Sequence, residues 1–189
     1  MTSVLSPPVA VRFPREEADM HHIKFTMPIT VDDLESFPDE LRIELHEGNL
    51  VIMTPPNAWH SDIIWRITGV FRAAGLVAFL ELGVKSSDTE LREPDVAVLR
   101  NRPDKKRGVF PPEDFLIVVE VVSKSSETLD RVVKPLHYAK IGIPEYWRVE
   151  EDPDDDDDAL IHQHKLSAEG AYVETGVVRL SDLEREATK

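Results

Sequence analysis

The stretch FLIVVEVV, residues 115–122, decides how the rest of the chain is read. Rich in Val and Ile and free of Gly and Pro, it has the composition of a strand buried on both faces. One residue breaks the apolar run. Glu120 carries a carboxylate into that interior, at a cost of several kcal/mol unless a cation, a metal or a donor network meets the charge. Side chains alternate along a strand, so Glu120 shares its face with Leu116, Val118 and Val122.

Working outward, PDVAVL at residues 94–99 reads as a second strand with Asp95 at its start. If the two strands are neighbours in register, Asp95 and Glu120 converge at one end of the sheet. Residues 127–141 have a helical pattern that stops at Gly142, and Pro135 inside it predicts a kink or a late start. Lys134 lies on that helix, four residues after Asp130 and so on its face. Residues 145–149 form a further strand, and residues 160–166 and 171–178 a terminal hairpin turning at 168–170. Upstream, residues 42–45 and 50–53 form a hairpin turning at 47–49, with Glu44 in its first strand. Residues 57–74 space Ile63, Ile64, Ile67, Val70 and Phe71 as a helix ending at Gly75, and residues 76–82 read as a strand. Thr30 is placed to cap a short helix carrying Asp32 and Asp33 in its first turn. The fold expected is α/β, a central mixed β-sheet flanked by helices, with a hairpin at each end. Residues 1–29 read as a flexible lead-in, and residues 30–189 as one domain with an acidic loop at 150–158.

The chain has 189 residues, 41% hydrophobic, with a net charge of −14. Eight acids in the run 150–158 supply more than half of that charge. No apolar stretch is long enough to span a bilayer, and the N-terminal residues lack the unbroken apolar core of a signal peptide, so a cytoplasmic protein is expected. With no cysteine, disulfides, thiolate catalysis and Cys-ligated zinc are excluded. An acidic chain repels nucleic acid, so any DNA binding must rest on local basic patches and metal ions. The dense basic run is Arg100, Arg102, Lys105, Lys106 and Arg107. It follows the Asp95 strand, which allows either a phosphate grip beside the site or an exposed loop solubilised by its charge.

Glu44, Asp95, Glu120 and Lys134 stand out as a candidate constellation. Two facing carboxylates repel, and a hard divalent cation removes that repulsion while taking oxygen ligands. The alternative for Glu120 is a metal-free buried ion pair with Lys134. His60, near the start of the long helix, suits either a phosphate contact or a solvated helix terminus. His162 and His164 share a strand face without an evident third ligand.

The acid after a proline, followed by an acid on the next strand, resembles the PD-(D/E)XK nuclease superfamily, except that Val122 stands where its lysine is expected. REPDVAVL, IVVEVVS, the Asp130–Lys134 spacing, GIPEYWRVE and IELHEGNLVIMTPP together resemble the Uma-two family of restriction-endonuclease-like proteins. The resemblance implies a restriction-endonuclease-like fold and a magnesium-dependent hydrolase of DNA phosphodiesters, with Mn²⁺ as a substitute. It implies that Asp95, Glu120 and the backbone carbonyl of Val121 hold the ion. Glu44 would complete the acidic site and orient a water, and Lys134, migrated from the Val122 position to the helix, would stabilise the developing anion. A homodimer is the expected assembly, since symmetric sites suit paired subunits. A catalytically silent binding or dimerisation module with the same fold is the alternative, motivated by Val122 and the acidic surface.

Overall fold

The structure, a computed structural model, describes residues 28–38, 41–123 and 126–188. The expected lead-in at residues 1–29 lies outside these up to residue 27. Ile29 is already part of the fold, buried and donating its N–H to the Gly48 carbonyl at 3.2 Å. The chain then enters a short 3₁₀ turn at Asp32–Ser36, where Asp33 accepts from both the N–H and the hydroxyl of Thr30.

The first hairpin forms as its pattern requires. β1 (Ile43–His46) pairs antiparallel with β2 (Asn49–Ile52) through a turn in which both Glu47 and Gly48 have positive φ. That is the geometry whose twist matches paired strands. A Cβ at Gly48 would also sit 2.3 Å from the Cβ of Pro28. α1 (Ala58–Ala73) starts where the Asn57 side chain accepts the His60 N–H, and buries Ile63, Ile64, Ile67 and Phe71 on one face. β3 (Val77–Leu80) follows it.

The next elements escape the periodicity reading. β4 (Gly83–Ser87) and β5 (Glu90–Arg92) form a tight hairpin, and the two residues of β7 (Val109–Phe110) lie beside β4. These pieces are too short to show an alternation, and their burial comes from a second sheet. So there are two mixed sheets where one central sheet was expected: a five-stranded sheet ordered β2-β1-β5-β4-β7, and a six-stranded sheet that runs in order through β11 (Tyr172–Arg179), β10 (Asp155–Leu166), β9 (Glu145–Asp152), β8 (Phe115–Val121), β6 (Val96–Leu99) and β3.

The six-stranded sheet centres on β6 (Val96–Leu99) and β8 (Phe115–Val121), which are antiparallel neighbours, with β9 (Glu145–Asp152) parallel to β8 on its other side. α1 packs on one face, over Val96, Val98, Ile117, Val119 and Val121. The other face carries Ala97, Leu99, Phe115 and Val118, covered by Tyr138 of α2 (Lys134–Lys140) and by Val84 and Phe110 of the smaller sheet. Burial on both faces is what the apolar run of β8 demands. None of the helices among the described residues is long and apolar enough to cross a membrane.

The acidic run at 150–158 is a hairpin and not a loop. β9 continues through Asp152, and β10 (Asp155–Leu166) begins three residues later, leading into β11 (Tyr172–Arg179) and a terminal helix α3 (Leu180–Ala187) that the sequence pattern did not show. Two of its aspartates are buried and bonded. Asp152 lies 2.7 Å from Nε of Arg179. Asp158 accepts the Ser181 N–H at 3.1 Å and its hydroxyl at 2.6 Å, capping α3 from a distance in sequence. Asp158→Ala is expected to lower the unfolding free energy by about 1–2 kcal/mol, measured as an earlier urea midpoint. Asp157→Ala, on an exposed side chain beside it, leaves that midpoint in place.

Candidate active site

The register Val96↔Val119 carries by one residue to Asp95 opposite Glu120, so the two carboxylates share the α2-side face at the end of the sheet. Asp95 is anchored there by the Val121 N–H, which its Oδ2 accepts at 2.8 Å. The same oxygen lies 3.2 Å from Nε2 of His60, in the first turn of α1. His60 therefore points inward and is not a solvated helix terminus.

Glu120 is met by two donors from one helix. Nζ of Lys134 lies 2.7 Å from its Oε2, and the Tyr138 hydroxyl donates to Oε1 at 2.7 Å. The helix delivers them by widening. Over Leu129–Val133 its turn is of the π type, and the Lys134 N–H bonds to the Leu129 carbonyl five residues back. Pro135 has no N–H and would crowd the preceding turn of a regular helix, so the wider turn relieves the conflict. Asp130 on that turn comes within 3.3 Å of Nζ of Lys134. Val122, where the superfamily signature has its lysine, continues the strand with its N–H on the Val149 carbonyl. The ammonium arrives from the helix instead.

Glu44 occupies a different place from the one expected. Its side chain is wholly buried behind Lys134, with Oε1 3.6 Å from Nζ, and it does not line the cleft. Oε1 also accepts the Glu93 N–H at 3.0 Å, and Oε2 lies 2.7 Å from Nε2 of His46. The β1–β5 pairing at Leu45↔Leu91 sets Glu44 opposite Arg92 and His46 opposite Glu90. Arg92 contacts His46 at 2.6 Å and grips Glu90 through Nε and Nη2. Glu44 thus belongs to a buried network that backs the lysine.

The cluster holds more negative charge than Lys134 neutralises. Burial, together with the charges of Asp95, Asp130 and Glu44, pushes the Glu120 carboxyl well above its ordinary range despite Lys134. Burial likewise raises Asp130. Burial opposes the charge on Lys134, but Glu120, Glu44, Asp130 and Asp95 outweigh it and hold the amine protonated. Burial would raise Asp95 too, yet His60, Lys134 and the Val121 amide keep it below the usual carboxylate value.

These groups open into a cleft of about 400 Å³, lined among others by Arg42, Trp59, His60, Asp95, Glu120, Val121, Asp130 and Lys134. The basic loop does not reach it. Arg100 lies at the far end of β6, roughly 16 Å from Asp95 at about 3.3 Å per residue, with its N–H on the Asp114 carbonyl. His162 and His164 are also elsewhere, flanking Glu174 on β10 and β11.

A family model named Uma2 and described as "Putative restriction endonuclease" matches residues 30–187. The chain belongs to the Uma2 family. Its fold is also similar to the crystal structure of "a putative nuclease belonging to DUF820" from Anabaena variabilis, with a TM-score of 0.61 and 20% identity over 85% of this chain and 99% of that one. Among curated proteins, none matches the chain.

For this Uma2 protein the acid cluster can be weighed as a cation site. Its donors are hard carboxylate oxygens in excess of positive charge, and buried Oδ1 of Asp130 makes no hydrogen bond among the described residues beyond its ion-pair contact with Nζ of Lys134 at 3.3 Å. That chemistry fits a divalent ion. Lys134 stands amid the acids, and among the described residues no three His, Asp or Glu side chains are already arranged to hold one. Tyr138 and the Arg92 network were missed by sequence reasoning. Tyr138 had a signal, one helical turn after Lys134; Arg92 had none, because its strand is three residues long.

Burial opposes the Glu44 charge, but Lys134, His46 and the Glu93 amide bring its carboxyl down to about 2 from an ordinary 4.5. A folded value below the unfolded one stabilises above the unfolded pKa and is lost as pH falls through the folded one. Glu44→Gln is therefore expected to be less stable than the parent by roughly 2–4 kcal/mol near neutrality. Urea titrations from pH 6 downward should show that gap closing as pH falls from about 4.5 towards 2.

Proposed function

We propose that this chain is a divalent-metal-dependent hydrolase of DNA phosphodiester bonds. The observation that carries the reading is the gathering of Asp95, Glu120 and Asp130 in one cleft around a single lysine, with negative charge left over. Asp95 and Glu120 are the residues that would hold the ion, with the backbone carbonyl of Val121 beside them. Magnesium is the ion that so hard a donor set favours, with manganese able to replace it. The chemistry such an ion supplies is polarisation of a phosphoryl oxygen and acidification of water.

The chain's own residues do the remaining work. His60 and the Val121 amide fix the Asp95 carboxylate at the end of the sheet. Tyr138 fixes one oxygen of Glu120. Lys134 stays protonated, so its part is to offset charge on the phosphate oxygens and not to accept a proton. Glu44 sits behind Lys134 and positions it, a role that differs from orienting water at the reaction centre.

A cleavage assay with Mg²⁺ or Mn²⁺ on DNA of several forms tests the reading. Asp95→Asn and Glu120→Gln should each reduce cutting on the order of a hundredfold or more, with far-UV circular dichroism unchanged. If both folded variants cut as well as the parent, the assignment fails.

A further inference from the structure

The acid cluster uses only part of the cleft. Another part of the lining is apolar, formed by Met53, Pro55, Pro56 and Trp59. Trp59 is half-buried, packed against the core cluster and among the residues that line the cleft. Fixed cations are scarce there. Among the described residues that line the cleft, Arg42 and Lys134 are the only arginine or lysine, and Lys134 is engaged by Glu120 and Asp130. Arg42 holds Glu81 through Nη1 at 3.1 Å and lies 3.6 Å from Glu93 through Nε, while its buried Nη2 has no acceptor among the described residues.

Proteins that grip a duplex do so by neutralising many phosphates along both strands. The described residues of this cleft do not supply that row of charges, and the basic loop lies at the other end of β6. A single strand makes a different demand. Its unpaired bases stack on aromatic rings, a contact open to any base. The cleft volume of about 400 Å³ falls in the range that accommodates one small ligand.

We propose that the cleft takes one unpaired nucleotide of a single strand, with its base against Trp59 and a phosphate flanking the scissile one against Arg42. The inference rests on the phosphodiesterase reading above and narrows it to single-stranded substrate. The asymmetry of the lining is the reason: acids where an ion and the scissile phosphate belong, and an aromatic face with one guanidinium where the neighbouring nucleotide belongs.

Binding is measured by anisotropy of a labelled oligonucleotide, with Ca²⁺ replacing Mg²⁺ so that the strand stays intact. Oligothymidylate is expected to bind about tenfold tighter than a duplex of equal length and than an abasic strand with the same phosphates. Trp59→Leu, which fills the site without a π face, should weaken oligothymidylate about tenfold and leave the abasic strand unchanged. Arg42→Met should weaken both single strands alike. Trp65→Ala, on the exposed face of α1, should change neither. The proposal is overturned if the duplex or the abasic strand binds as tightly as oligothymidylate, or if folded Trp59→Leu binds it undiminished. Preferential cutting of duplex DNA by the parent would sink this inference alone, whereas no cutting of any DNA with Mg²⁺ or Mn²⁺ would sink the parent reading.

Discussion

The contact between Glu120 and Lys134 governs the arrangement of this protein. A carboxylate inside a doubly covered strand is tolerable only with donors on both oxygens, and here an ammonium and a phenol supply them from successive turns of one helix. That requirement fixes where α2 lies against the sheet. The widened turn that Pro135 calls for lies just before Lys134 and carries Asp130, 3.3 Å from the same Nζ. Breaking such a pair by removing one partner leaves an uncompensated buried charge, which is far more damaging than losing a surface ion pair.

Around that pair the charges do not balance, and that imbalance is the ground for proposing a cation site there. A structural pair would be expected to close on itself. Here Glu44, Asp95 and Asp130 crowd the same lysine, and burial drives Glu120 and Asp130 towards protonation. The smaller sheet contributes from behind. Its β1–β5 pairing stacks Glu44, His46, Glu90 and Arg92 into a buried network that presses on Lys134 while leaving the cleft side open. The second sheet is therefore part of the lysine's support as well as a cover for the core.

Charge placement also separates the basic run of the chain from the site, and leaves the acidic run touching the cleft through Glu151. The basic segment lies at the wrong end of β6, tied to the backbone near residues 113–114. The acidic segment forms the β9–β10 hairpin, where Asp158 caps α3 and Asp152 meets Arg179. Both runs attract notice by density alone, but density of charge says little about which end of a strand it follows or which side chains turn inward.

Much of the central architecture was legible in the chain itself. An apolar run interrupted by Glu120 announced a buried strand needing compensation, the spacing of Asp130 and Lys134 placed both on one helical face, and Glu47-Gly48 marked a turn. Those are local rules, acting within a few residues. Tertiary structure alone decided that there are two sheets, that Glu44 stands behind the lysine and off the cleft, that Tyr138 and His60 complete the acid cluster, and that the acidic run pairs as strands. Each of these depends on contacts between residues far apart in sequence, where strands of two or three residues carry no period and burial is set by whatever packs against them.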